Sequence, residues 1–117
     1  MTQTDCLFCK IISGEIPSKI INDTENFLSF HDVSPQADVH GLVIPKKHIS
    51  DVIHASNEFS KDLLGDYFVE ISNVARKLGL HENGFRVVFN SKSDACQTVF
   101  HIHAHILGGN QLSGKMC

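Results

Sequence analysis

His101, His103 and His105 stand at alternate positions in the stretch TVFHIHAHIL, residues 98–107. On an extended strand, residues two apart share a face and lie about 6.5–7 Å apart. Neighbouring imidazoles at that spacing can meet one ligand or pass a proton along a row. One histidine there would be an ordinary polar residue on an amphipathic strand. Three in register call for a chemical reading, and two are open. Neutral imidazoles can hold a metal such as zinc, three ligands leaving one position free for catalysis. Alternatively, one imidazole is a nucleophile toward phosphorus and its neighbours move protons or stabilise negative oxygens.

The approach to the triad, NSKSDACQTV, carries Asn90, Ser91, Ser93, Gln97 and Thr98. Amides, hydroxyls and backbone N–H groups suit a phosphate cradle. The carboxylate nearest in sequence before the triad is Asp94, seven residues from His101, so the cluster lacks the acid a metallohydrolase commonly brings. A second candidate group is Cys6-x-x-Cys9. In a reducing compartment such a pair is more often metal-binding or redox-active than a structural bridge.

These residues need elements to position them. DCLFCKIIS (5–13) reads as a short helix opened by Asp5. NFLSFHDV (26–33) reads as a strand, with Phe27 and Ser29 opposite Leu28 and Phe30, and HGLVIP (40–45) as a strand closed by Pro45. Between Glu58 and Leu78, Leu64, Phe68, Ile71, Ala75 and Leu78 recur at helical spacing. That predicts one long helix buried along this face, capped by Ser56 or Asn57 and closed by Gly79. FRVVFN (85–90) and VFHIHAHIL (99–107) read as strands, the latter sending Phe100, Ile102, Ala104 and Ile106 into the core. Strands around one long helix indicate an α+β domain with an antiparallel or mixed sheet.

The chain has 117 residues, 42% hydrophobic and 20% charged, with a net charge of −3. That predicts a single domain (1–117) of the soluble globular class. The acidic balance gives no footprint for broad nucleic-acid binding. No run approaches the roughly 18 apolar residues of a membrane span. The polar start, MTQTDCLFCK, lacks a signal peptide's apolar run, so the expected location is cytoplasmic. His54, His81 and Cys117 read as surface residues without a role.

With these motifs in place, the sequence resembles the histidine triad (HIT) family, specifically its HINT branch of nucleotide-binding hydrolases. The resemblance is carried by HIHAHIL and by FCKIISGEIPSKII, FLSFHDVSPQADVHGLVIPKKHI, LGL…NGFRVVFN and CQTVFHIHAHILGG. It spans about residues 6–109, leaving an irregular tail at 110–117. It implies a HIT-like fold: an antiparallel sheet of about five strands, with one long and one short helix on one side, pairing into a homodimer. It also implies hydrolysis of purine nucleoside monophosphate conjugates such as adenosine phosphoramidates. AMP or GMP would be released through a nucleotidyl-histidine intermediate, with no catalytic cofactor.

By the same resemblance His103 is the nucleophile, His105 assists at the phosphate, and His40 orients and polarises. Asn90, Gln97 and Thr98 fall on phosphate-holding positions and Asp32 on the carboxylate that grips the ribose. Phe8, Ile11, Ile16, His31, Val33 and Leu42 surround the base, although core packing accounts equally well for Phe8 and Ile11. A histidine at position 105, where the transferase branch has glutamine, favours hydrolysis. Microbial relatives with the cysteine pair bind a structural zinc, here implying Cys6, Cys9, His48 and His101 as ligands. Cys96 stands where relatives often have glycine, and the tail lacks the tryptophan of animal relatives. Three rivals remain: a dinucleoside polyphosphate hydrolase, a nucleotide-binding regulatory module with slow hydrolysis, and a metallohydrolase using the triad as ligands.

Overall fold

The computed structural model describes residues 5–116. Its elements run α1 (Leu7–Ser13), β1 (Ile20–Asp23), β2 (Phe27–His31), β3 (Val39–Pro45), α2 (Val52–Glu58), α3 (Lys61–Lys77), β4 (Phe85–Val88), a single 3-10 turn (Ser93–Ala95) and β5 (Ala104–Gly108). The five strands form one antiparallel sheet in the order β1-β2-β3-β5-β4, so β4 is an edge.

Period-two alternation divides the apolar residues between two faces. Phe27, Val43, Ala104 and Ile106 pack with Tyr67, Ile71, Val74 and Ala75 of α3. Leu28, Phe30, Leu42 and Ile44 face the other way and pack with Phe8 of α1. The expected split of Phe27 from Leu28 and Phe30 is therefore present. The helices do not share one side, however: α1 lies across the sheet from α3, on the face that carries the triad.

The long helix begins later than its sequence pattern indicated. Ser60, not Ser56 or Asn57, is its cap, with the hydroxyl accepting from Leu63 N at 3.0 Å. Such a cap stabilises a helix by about 1 kcal/mol. Glu58 instead ends α2, which Asp51 caps through His54 N. His54 also meets the Asp51 carboxylate at 2.9 Å, so it has a partner after all. At the far end Gly79 takes φ +76, the left-handed turn that glycine adopts without strain. One residue of the expected buried face is wrong: Phe68 is 74% exposed, and Tyr67 and Glu70 are buried instead.

The triad strand is shorter than expected. The β3–β5 ladder stops at Val43↔Ala104. Beyond it, Ile102 N bonds to Ile49 O at 2.6 Å, a contact with the chain after β3 rather than with the ladder. Pro45 ends β3 and has no N–H to extend it. His101 and His103 thus precede the regular strand, yet Ile102 still turns to the α3 core and both histidines to α1. Phe100, expected in the core, is 57% exposed. The cap of α1 is also reassigned: Cys6, not Asp5, holds it, its Sγ accepting from Cys9 N at 3.3 Å. Cys117 lies outside the described residues.

Candidate active site

His103 is buried against the Phe8 ring, with centroids 5.1 Å apart. Its Nδ1 lies 2.9 Å from the carbonyl oxygen of His101. A carbonyl can only accept, so Nδ1 carries the hydrogen and Nε2 keeps its lone pair. Burial lowers the His103 pKa, opposed by that hydrogen bond and by Asp32. A neutral ring with one free lone pair has the electronic state of a nucleophile.

The next two histidines form a chain with fixed polarity. Gln36 N donates to His40 Nδ1 at 3.0 Å, so the His40 hydrogen sits on Nε2. That Nε2–H donates to His105 Nδ1 at 2.9 Å. The remaining hydrogen of a neutral His105 is therefore on Nε2, and the His103 and His105 ring centroids are 4.9 Å apart. Asp32 Oδ2 stands 3.4 Å from His40 Nε2. The contact is one of carboxylate with neutral imidazole, because burial lowers the His40 pKa more than Asp32 raises it. His105 is pushed down to about 4 by burial, then by the charges His103 and His40 would carry.

Behind the triad is a second cluster. The ligand atoms of Cys6, Cys9, His48 and His101 all lie within 4.8 Å of one another. His101 Nε2 donates to Pro45 O at 2.7 Å, which leaves the Nδ1 lone pair facing Cys6 Sγ at 3.5 Å and Cys9 Sγ at 3.6 Å. His48 Nδ1 is 3.3 Å from Cys9 Sγ. Two thiols and two imidazole lone pairs at these separations fit a tetrahedral metal with bonds of about 2.0–2.3 Å. A carbonyl that fixes the ligating tautomer from outside is typical of such sites. The donor set therefore fits zinc, and four protein ligands leave no open position.

A family model for the HIT domain matches residues 13–112. The chain belongs to the HIT domain family. It is 41% identical over 110 residues to the "14 kDa zinc-binding protein" of Brassica juncea, covering 93% of this chain and 96% of that one. Among solved structures it is similar to a HIT family hydrolase from Legionella pneumophila Philadelphia 1, at 44% identity and TM-score 0.88, with 94% and 97% of the two chains covered. It is also similar to a histidine triad protein from Clostridium difficile, at 40% identity and TM-score 0.91, with 98% and 99% covered.

Within the HIT domain, Asp32 opens onto a cleft of about 680 Å³ that His31 and Val33 also line. Ile16 is half-buried. Phe8, Ile11 and Leu42 sit in the packed cluster beneath α1. The phosphate candidates separate. Asn90 lines the hollow beside His40 and His105, its amide tied to Ala95 O at 3.0 Å. Gln97 is buried, giving Nε2 hydrogens to Ser50 O and Val99 O and accepting from Lys92 N, so its amide clamps the loop. Thr98 is exposed and lines a different hollow, beside Cys6 and His48. Cys96 points to solvent with φ +60, the backbone state glycine favours.

Sequence reasoning missed Gln36, Lys19 and Arg86. Gln36 acts through its backbone N–H, which no residue type announces. Lys19 lines the Asp32 cleft and Arg86 the His105 hollow. Both sit on strands or strand ends, where a cation reads as ordinary surface.

Proposed function

We propose that this chain hydrolyses purine nucleoside monophosphate conjugates, adenosine phosphoramidates among them, through a covalent bond from phosphorus to His103 Nε2. The observation that carries the reading is the His103 Nδ1–H bond to His101 O, which leaves Nε2 as the single basic atom of a neutral, buried ring. Asp32 provides the carboxylate for a ribose diol and stands beside His40, so ribose and phosphorus can be neighbours.

In the first step His103 Nε2 bonds to phosphorus while the P–N bond to the amine breaks. The electron pair stays on the amine nitrogen, which takes the Nε2 proton of His105. The His103 ring, bonded to phosphorus at Nε2 and still carrying its Nδ1 hydrogen, gains the positive charge that balances the negative charge left on His105. The His40 Nε2–H bond stabilises that negative charge until water returns the proton. Water then bonds to phosphorus, its proton goes to His105, and the bond to His103 breaks. The products are the free amine and the nucleoside monophosphate.

Cys6, Cys9, His48 and His101 would hold a zinc ion that ties α1 to the triad segment. When bound it supplies cross-linking rather than Lewis acidity, since its coordination is closed by protein. The name of the Brassica juncea relative supports zinc. A homodimer belongs to the same reading, supported by edge strand β4 with Phe85 and Val87 exposed.

A metallohydrolase is favoured by one observation: Asp32, His40 and His105 also bring ligand atoms within 4.8 Å. Turnover of an adenosine phosphoramidate by wild type and His103→Ala, with and without chelator, separates the two. Loss in His103→Ala with chelator-resistant turnover in wild type supports the nucleophile. Chelator-sensitive turnover that survives in His103→Ala rejects it.

A further inference from the structure

Cys6 and Cys9 belong to one cluster but differ in reach. Cys6 is half-buried and lines a hollow of about 300 Å³, with Leu7, His48, Thr98 and Phe100 around it. Cys9 is buried and lines no part of that hollow. A solute entering it meets one sulfur before the other.

The two sulfurs are also set for each other. Cys6 Sγ takes the hydrogen of Cys9 N at 3.3 Å, which folds its side chain back over the first turn of α1. The sulfurs lie 3.5 and 3.6 Å from one atom, His101 Nδ1, and within 4.8 Å of each other. Cα atoms three residues apart on a helical turn are separated by about 5 Å. A disulfide spans about 4.4–6.8 Å between Cα atoms, so side-chain rotation closes the pair without moving the sheet.

We propose that Cys6 and Cys9 are a peroxide-reactive dithiol, a modification site that controls the metal cluster. Cys6 Sγ attacks one oxygen of a small hydroperoxide in the hollow and the O–O bond breaks. Cys6 becomes a sulfenic acid, and the other oxygen leaves as water or alcohol with the thiol proton. Cys9 Sγ then bonds to Cys6 Sγ, the S–O bond breaks, and that oxygen leaves as water with the Cys9 proton. Two electrons pass from the sulfurs to the peroxide. Where zinc holds the pair as thiolates, solvent supplies the two protons and the cluster loses two of its four donors. His48 and His101 are then unlinked from α1, whose Phe8 ring packs 5.1 Å from that of His103. Metal release rests on the zinc reading above; the disulfide does not.

The test uses the full chain carrying Cys96→Ser and Cys117→Ser, so that the pair holds the only thiols, loaded with one equivalent of zinc. Equimolar hydrogen peroxide should lower the intact mass by two hydrogens, with a Cys6–Cys9 crosslink in the peptide map. Zinc should reach a chromogenic indicator over the same time course, and dithiothreitol should reverse both changes. With Cys9→Ser added, Cys6 should stop at the sulfenic acid and be trapped by dimedone. A pair that stays reduced under peroxide that oxidises free N-acetylcysteine overturns the proposal, as does Cys6 sulfinic acid without a disulfide. A disulfide that forms with zinc still bound overturns control of the metal. A chain that takes up no zinc overturns the zinc reading and the release with it, while the crosslink still decides the dithiol chemistry.

Discussion

His40 gives its Nε2 hydrogen to His105 Nδ1 at 2.9 Å, and the direction of that bond is set from outside the pair, by Gln36 N at His40 Nδ1. One backbone amide thus decides which face of His105 presents a proton to the site. His40→Gln should disturb this polarity without touching the nucleophile. We expect kcat to fall by about 100-fold, the lower end of a general acid–base contribution, with KM changing less. Steady-state kinetics check it; a pure KM effect would mean that His40 only shapes the pocket.

The Cys6–Cys9–His48–His101 cluster makes a separable prediction. Cys9→Ser should lower bound zinc in elemental analysis and lower the melting temperature, because one ligand and the α1 tether are lost together. Chelator should reproduce the melting shift in wild type. Turnover per folded molecule at low temperature should remain. Its complete loss on chelation, with the circular dichroism unchanged, would contradict a structural role.

Stability should depend on pH through His105. Its pKa is about 4 in the folded chain, with burial first among the causes, against about 6.5 for an unfolded histidine. Between those values the unfolded chain binds a proton that the folded chain refuses. The stabilisation from neutral His105 is complete above about 6.5 and is lost as pH falls toward about 4. His105→Gln should flatten the pH profile of urea unfolding across that window by up to one proton. An unchanged slope would show that His105 is not held neutral.

How much of this was legible in the sequence depends on how far each residue's role travels with its type. Alternation on β2 and β3 was readable because each strand has two buried faces and neighbouring apolar residues go to opposite ones, as Phe27 and Leu28 do. The end of β5 was not, because it is set by Pro45 on another strand. The start of α3 was misplaced because Ser56, Asn57 and Ser60 are all competent caps, and only the break at Phe59 chooses among them. Phe68 fits the helical period but sits where no strand covers it. In the site, the triad and the cysteine pair announced themselves by type and spacing. The donors that fix their tautomers, Gln36 N, His101 O and Pro45 O, are backbone groups.

Phe68, Val69, Phe85 and Val87 are exposed on α3 and on the edge strand β4. Unpaired edges and apolar surface of this kind are covered in assemblies. The proposed homodimer places its contact here, so Val87→Asp should convert a dimer to monomer in light scattering. A wild-type monomer at micromolar concentration would rule out the proposed dimer.

The proposed reaction makes a covalent bond between His103 Nε2 and phosphorus. The most direct measurement is mass spectrometry of acid-quenched protein mixed with an adenosine phosphoramidate, for wild type and His103→Ala. An adenylate-sized adduct is expected on wild type, mapped to His103, with free AMP accumulating and neither signal in the variant. AMP release with no adduct, persisting in His103→Ala, would contradict it.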